Sequence, residues 1–161
     1  DFVAARINYD VTLGNKGTLQ MAFKGGKFFN ADNISFVDYK HFNGNQTRIG
    51  QSESYTNVFN LLPYYASSTN DSYSETHIEH NDKGYFMNKI PLLKHLQSQL
   101  VLGFHSLAVP DRKPYQEFSV GLDNLGFGKY RLFRLDYVRS YQNGYQGDGV
   151  IFGLKFLNVL E

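Results

Sequence analysis

Apolar and polar residues alternate with a period of two through most of this chain, and only a β-strand sends successive side chains to opposite faces. Near the C-terminal end Val150, Phe152, Leu154 and Phe156 share one parity, with Gly153 and Lys155 on the other. Phe133, Leu135 and Tyr137 oppose Arg134 and Asp136, while Phe118, Val120 and Leu122 oppose Glu117, Ser119, Gly121 and Asp123. Leu100, Leu102 and Phe104 stand against Gln99, Gly103 and His105. At the other end Val3, Ala5, Ile7, Tyr9 and Val11 oppose Arg6, Asn8 and Asp10, and Leu19, Met21 and Phe23 oppose Gln20 and Lys24. A seventh strand, Asp71 to Asn81, has a mostly polar odd face (Tyr73, Glu75, His77, Glu79), and Ile78 is the one sizeable apolar residue of its even face. The pattern predicts an all-β chain of about seven antiparallel strands, read as a single domain over 1–161.

The connectors come in two sizes. Gly14-Asn15-Lys16-Gly17 and residues 123–128 read as tight turns whose glycines can take positive φ. Residues 106–114 and 141–147 are longer and polar, residues 82–96 form an apolar connector, and a very long loop covers about 27–70. Short turns at one end and long loops at the other describe an outer-membrane barrel.

Composition narrows the class. Lys and Arg number 16 against 15 Asp and Glu, a balance that supplies no field for gathering nucleic acid. Without cysteine there is no disulfide framework, thiolate metal site or thiol nucleophile. The opening Asp1-Phe2-Val3-Ala4 carries neither the basic nor the apolar stretch of a signal peptide. No run of 18 apolar residues offers a transmembrane helix, whereas a transmembrane strand needs only ~9–11 residues. The chain has 14 Phe and 12 Tyr, and charged residues fall to 19%, below the usual level of about 25%.

A soluble sandwich also alternates, but two features favour lipid. Gly103, Gly121 and Gly153 beside Arg134, Asp136 and Glu117 suggest a crowded, hydrogen-bonded interior. Tyr115, Tyr130, Tyr137 and Tyr141 sit near strand ends, where an aromatic girdle meets the headgroups. Seven strands with two open edges would expose unpaired backbone in lipid, so they must complete a larger object.

Three stretches carry a resemblance: His41-Phe42-Asn43-Gly44-Asn45-Gln46, Gly84-Tyr85-Phe86-Met87-Asn88-Lys89-Ile90-Pro91-Leu92-Leu93, and Val120-Gly121-Leu122-Asp123-Asn124. Together they resemble a Bacteroidota outer-membrane family with an N-terminal carboxypeptidase-regulatory-like domain and a C-terminal barrel of unassigned function. The closing Arg134-Leu135-Asp136-Tyr137 with its alternating last strand is similar, more broadly, to the barrel-assembly (surface antigen) superfamily, whose barrels have sixteen strands. The resemblance implies the last seven strands of such a barrel, with 14–17, 82–96 and 123–128 in the periplasm and the long loop entering from outside. That loop bears Asn43, Gly44, Asn45 and Arg48 where assembly proteins carry an Arg-Gly-aromatic motif.

The expected lumen-facing polar set is Arg6, Asp10, Glu75, His77, Glu117, Arg134 and Asp136, with Arg134–Asp136 and Arg6–Asp10 as ion pairs. Phe118, Leu135, Phe152 and Phe156 are expected to face lipid. Glu75, His77 and Glu79 share a strand face that His80 does not, so no metal is assigned. Ser106 and its neighbour His105 point opposite ways, so no catalytic pair is assigned either. Residues 85–96, with Lys83, Lys89 and Lys94, read as a folded turn or as a surface for the inner leaflet or a periplasmic partner. The sequence therefore predicts a Gram-negative outer-membrane component without cofactor or enzymatic activity. Its partners would be lipid, the rest of its own barrel and other envelope proteins. An assembly or transport pore, and a soluble barrel holding an apolar ligand, are the alternatives.

Overall fold

The computed structural model describes residues 1–44, 56–128 and 130–154. Seven strands, β1 (Phe2–Thr12), β2 (Thr18–Phe28), β3 (Ser72–Asn81), β4 (Gln99–Ala108), β5 (Tyr115–Phe127), β6 (Tyr130–Tyr141) and β7 (Tyr145–Leu154), form one antiparallel sheet in sequence order. Away from the shifts in β5 and at the end of the β6–β7 ladder, the register keeps each parity on one face. Ile7 lies opposite Phe23, Ile78 opposite Phe104, Phe104 opposite Phe118, Leu122 opposite Leu135, and Leu135 opposite Phe152. A slip of one residue would exchange the two faces, so this agreement across five ladders fixes the pairing.

The burial of the two faces is the reverse of a soluble sheet. Glu117 is 0% exposed, Asp136 2% and Arg134 3%, whereas Phe118 is 49%, Phe152 50% and Val150 63% exposed. Charged residues are rarely buried unless paired, and water-soluble sheets cover their apolar face. β1 is exposed on both faces, Val11 alone being half-buried, and its outer edge has no strand beside it among the described residues.

Two connectors differ from the expectation. β5 and β6 run on to Phe127 and Tyr130, so residues 123–127 are bulged strand rather than turn, with register shifts after Leu122 and Leu125. β6 and β7 leave only 142–144 between them, where Asn143 and Gly144 take positive φ, so the loop expected at 141–147 is a tight turn. At Gly14-Asn15-Lys16-Gly17 the turn forms as read, with φ of 59° at Gly14 and 99° at Gly17. One end of the sheet thus carries 13–17, 82–98 and the β5–β6 turn; the other carries 29–44, 56–71, 109–114 and 142–144.

Candidate functional site

The chemistry of the chain collects on the buried polar face. Arg134 is its centre: Nε donates to Asp136 Oδ2 at 2.7 Å and Nη2 to Asp136 Oδ1 at 2.8 Å. The same guanidinium reaches three strands across to Glu79, with Nη1 3.1 Å from Oε1 and Nη2 2.9 Å from Oε2. It therefore holds two carboxylates bidentately, a geometry for which its planar fork is suited and a lysine is not. Gly121 makes the crossing possible, because a methyl group there would overlap Asp136 Oδ1 and crowd the Leu135 carbonyl. Gly153 lies opposite Arg134 in the β6–β7 ladder.

A second cluster lies nearer the other end. His77 Nδ1 and His105 Nδ1 are 2.8 Å apart, so one ring donates and the other accepts, and His77 Nε2 lies 3.5 Å from Glu75 Oε1. Glu75 also approaches Lys24 Nζ at 3.6 Å. His80, on the opposite face, donates to the Lys16 carbonyl at 3.0 Å. Across the described polar face and loops only Asn57 Oδ1 and Ser98 Oγ are buried side-chain atoms without a hydrogen-bond partner, so the buried polarity is nearly all satisfied.

The described parts of the long loop fold back onto this face. Lys40 and Thr69 exchange backbone hydrogen bonds at 2.8 and 3.1 Å, and Phe59 N–H donates to the Asn43 carbonyl at 2.8 Å. Phe59, fully buried, packs on His77 with ring centres 4.8 Å apart and on Tyr115 at 5.9 Å. Phe42, Phe59 and Leu62 of the loop join Tyr73, Leu107 and Tyr115 of the sheet in one apolar cluster. Glu117 fastens the segment: its carboxylate accepts Asn60 N–H and Leu61 N–H at 2.7 Å each and Tyr115 O–H at 2.6 Å. Gly44 is bridged to Phe59, and a methyl group on it would overlap the Leu62 carbonyl. Gly44→Ala is accordingly expected to weaken loop docking by about 1–3 kcal/mol while sparing the strands, an effect to be read as faster proteolysis within 56–66.

Of the residues expected in the lumen, Glu75, His77, Glu117, Arg134 and Asp136 share the buried face. Arg6 and Asp10 have the same parity but lie on exposed β1, and they do not pair. Arg6 Nε donates to Asn8 Oδ1 at 2.8 Å, because four strand residues separate Arg6 from Asp10 by about 13 Å. Phe118, Leu135 and Phe152 stand on the exposed face. Asn45, Arg48 and Phe156 lie outside the described residues. Tyr115, read as a girdle residue, is instead buried against Glu117 on the polar face. Its odd parity, shared with Glu117, was the available signal.

Sequence reading passed over Phe59 and Asp82. Asp82 is fully buried and accepts N–H groups from Gly84 at 2.8 Å, Phe86 at 2.8 Å and Leu100 at 2.7 Å, which fixes how the 82–98 connector leaves and re-enters the sheet.

A seven-stranded antiparallel sheet with a nearly satisfied ionic face, an exposed aromatic face and a loop packed on the ionic side defines the chain as all-β. Residues 1–122 match the model of a family of unknown function, the C-terminal domain of DUF5686, and the chain belongs to that family. No curated protein and no solved structure matches it.

Proposed function

We propose that this chain is the C-terminal part of an integral β-barrel of a Gram-negative outer membrane, acting as a structural or interaction component of the envelope rather than as an enzyme. The observation that carries the reading is the inverted burial: Arg134, Asp136 and Glu117 inside, Phe118, Val150 and Phe152 outside. Lipid is the solvent in which that inversion lowers free energy, since each exposed apolar side chain gains there what a soluble protein obtains from its core. The exposed β1 edge then pairs with the remaining strands of the barrel, because an unpaired edge in lipid costs several kcal/mol per backbone group. In this orientation 13–17, 82–98 and the β5–β6 turn face the periplasm.

Among the two alternatives, the pore has one feature in its favour, the wide polar face, but Phe59 and Glu117 pin the loop across that face and support a plugged scaffold. A soluble barrel that binds an apolar ligand needs the aromatic face turned inward, and here it is the exposed one.

The test is the behaviour of the full-length protein on extraction. It is expected to stay in the membrane through carbonate and urea washes, to require detergent, and to migrate faster on gels before boiling than after. A protein monodisperse without detergent would overturn the membrane reading. Planar-bilayer conductance, before and after deleting residues 40–48, separates scaffold from pore: low conductance that rises on deletion supports the plugged scaffold, and a large conductance in the intact protein supports the pore.

A further inference from the structure

The periplasmic end of the proposed barrel carries a second feature that the sheet does not use. Between the turn at 84–88 and the turn at 94–99 lies a cleft of about 600 Å³, lined by Lys83, Asn88, Lys94, His95, Gln97 and Gln99. Every one of these side chains can donate a hydrogen bond, two are cations, and no carboxylate lines the space. The sequence from Lys83 to Leu107 contains no Asp or Glu at all. Asp82, next to Lys83 in the chain, is buried with its oxygens taken by three backbone N–H groups, and Asp123, opposite Gln99 in the β4–β5 ladder, is buried with its oxygens facing Asn81 Nδ2 and Asn124 N–H. Gly84 keeps the mouth open for Asn88, because a methyl group there would lie 2.8 Å from Asn88 Nδ2. The connector is held in place from the β5–β6 side, where Asn124 Nδ2 donates to the Gln97 carbonyl at 2.8 Å and Arg131 donates to the Leu96 carbonyl.

Around the cleft the connector exposes Phe86 at 50%, Ile90 at 46%, Leu92 at 81% and Leu96 at 48%. At the same end of the sheet the last pair of the β5–β6 ladder, Phe127 and Tyr130, is 90% and 56% exposed. An anionic cleft ligand that also carries alkyl chains would satisfy both halves of this surface. We infer that the cleft binds the phosphodiester headgroup of an anionic membrane phospholipid, with its acyl chains laid along Phe86, Leu92 and Phe127. Lys83 and Lys94 supply the charge, and Asn88, Gln97 and Gln99 supply neutral donors to the phosphate oxygens. The inference rests on the membrane reading, which sets this end at the headgroup layer.

The test uses the full-length protein in detergent, titrated with phosphatidylglycerol and followed by native mass spectrometry. Phosphatidylcholine of the same chain length and inorganic phosphate serve as the other two probes. Phosphatidylglycerol is expected to stay bound where phosphatidylcholine does not, and K83Q/K94Q is expected to weaken its retention roughly tenfold or more while leaving the gel-mobility shift intact. The single K94Q variant, at an exposed turn position, serves if the pair does not fold. Equal retention of the two lipids, or equal retention by wild type and variant, overturns the cleft assignment. Displacement of the lipid by millimolar inorganic phosphate overturns the lipid as its ligand in favour of a free anion. In each of these results the protein still requires detergent, so loss of that requirement, which alone sinks the membrane reading, is separately visible.

Discussion

Replacing Arg134 by methionine is expected to stop the sheet from reaching its folded state, or to lower its stability by about 3–5 kcal/mol. Methionine replaces the aliphatic stem but not the guanidinium, so the main loss is electrostatic: Glu79 and Asp136, 5% and 2% exposed, would face each other without the cation that both grip. Uncompensated buried charge is among the few single changes that approach the whole stability of a domain, about 5–15 kcal/mol. The comparison that isolates the cause is the triple variant R134M/E79Q/D136N, which removes all three charges at similar volume and is expected to recover much of the loss. Urea unfolding of the full-length protein in detergent measures both, with gel mobility as the folding readout. If R134M unfolds at the wild-type urea concentration, the three groups are far better hydrated than their burial implies, and the polar face is not a closed network.

Glu117→Gln is expected to release the loop without unfolding the sheet. The substitution is isosteric, so no cavity forms, but an amide offers one carbonyl acceptor where the carboxylate offered two oxygens. One of the Asn60 and Leu61 N–H groups, each 2.7 Å from a carboxylate oxygen, would then meet an NH₂ donor. Losing a charge-assisted bond and stranding a buried donor costs about 2–4 kcal/mol. Amide exchange at Asn60 and Leu61 should accelerate by roughly 30-fold or more, while amides within β4 and β5 keep their protection. Should conductance be measured on the same variant, it should rise along with exchange. Unchanged exchange would mean that Phe59 and the apolar cluster hold the segment by themselves, and that the carboxylate serves Tyr115 alone.

These two side chains show what was legible in advance. Arg134, Asp136 and Glu117 could be picked out because each interrupts an apolar alternation with a charge of the opposite parity, a pattern local to one strand. The partner of Arg134 could not: Glu79 lies 55 residues away and meets it only because β3, β4, β5 and β6 pair in this register with a glycine in the path. Arg6 and Asp10 share the right parity too, yet parity says nothing about whether a strand is central or at the edge, and β1 is at the edge. Tyr115 was misread for a related reason. A tyrosine near a strand end suits a girdle, but its parity puts it inside with Glu117, where its hydroxyl has a carboxylate to meet. Phe59 gave no signal at all, since a single aromatic in a long irregular stretch has no period to reveal it.

By itself, then, the sequence determined the strands, their number and which residues share a face, because strand periodicity is a property of neighbouring residues. It also determined that one face is charged and the other aromatic. Only the tertiary structure decided which charges on the expected interior face meet, that the loop seals that face through Glu117 and Phe59, and that the 82–98 connector folds around Asp82 into a basic cleft. Those outcomes depend on contacts between residues far apart in the chain, and burial is settled by what is left to cover each face once the backbone has paired.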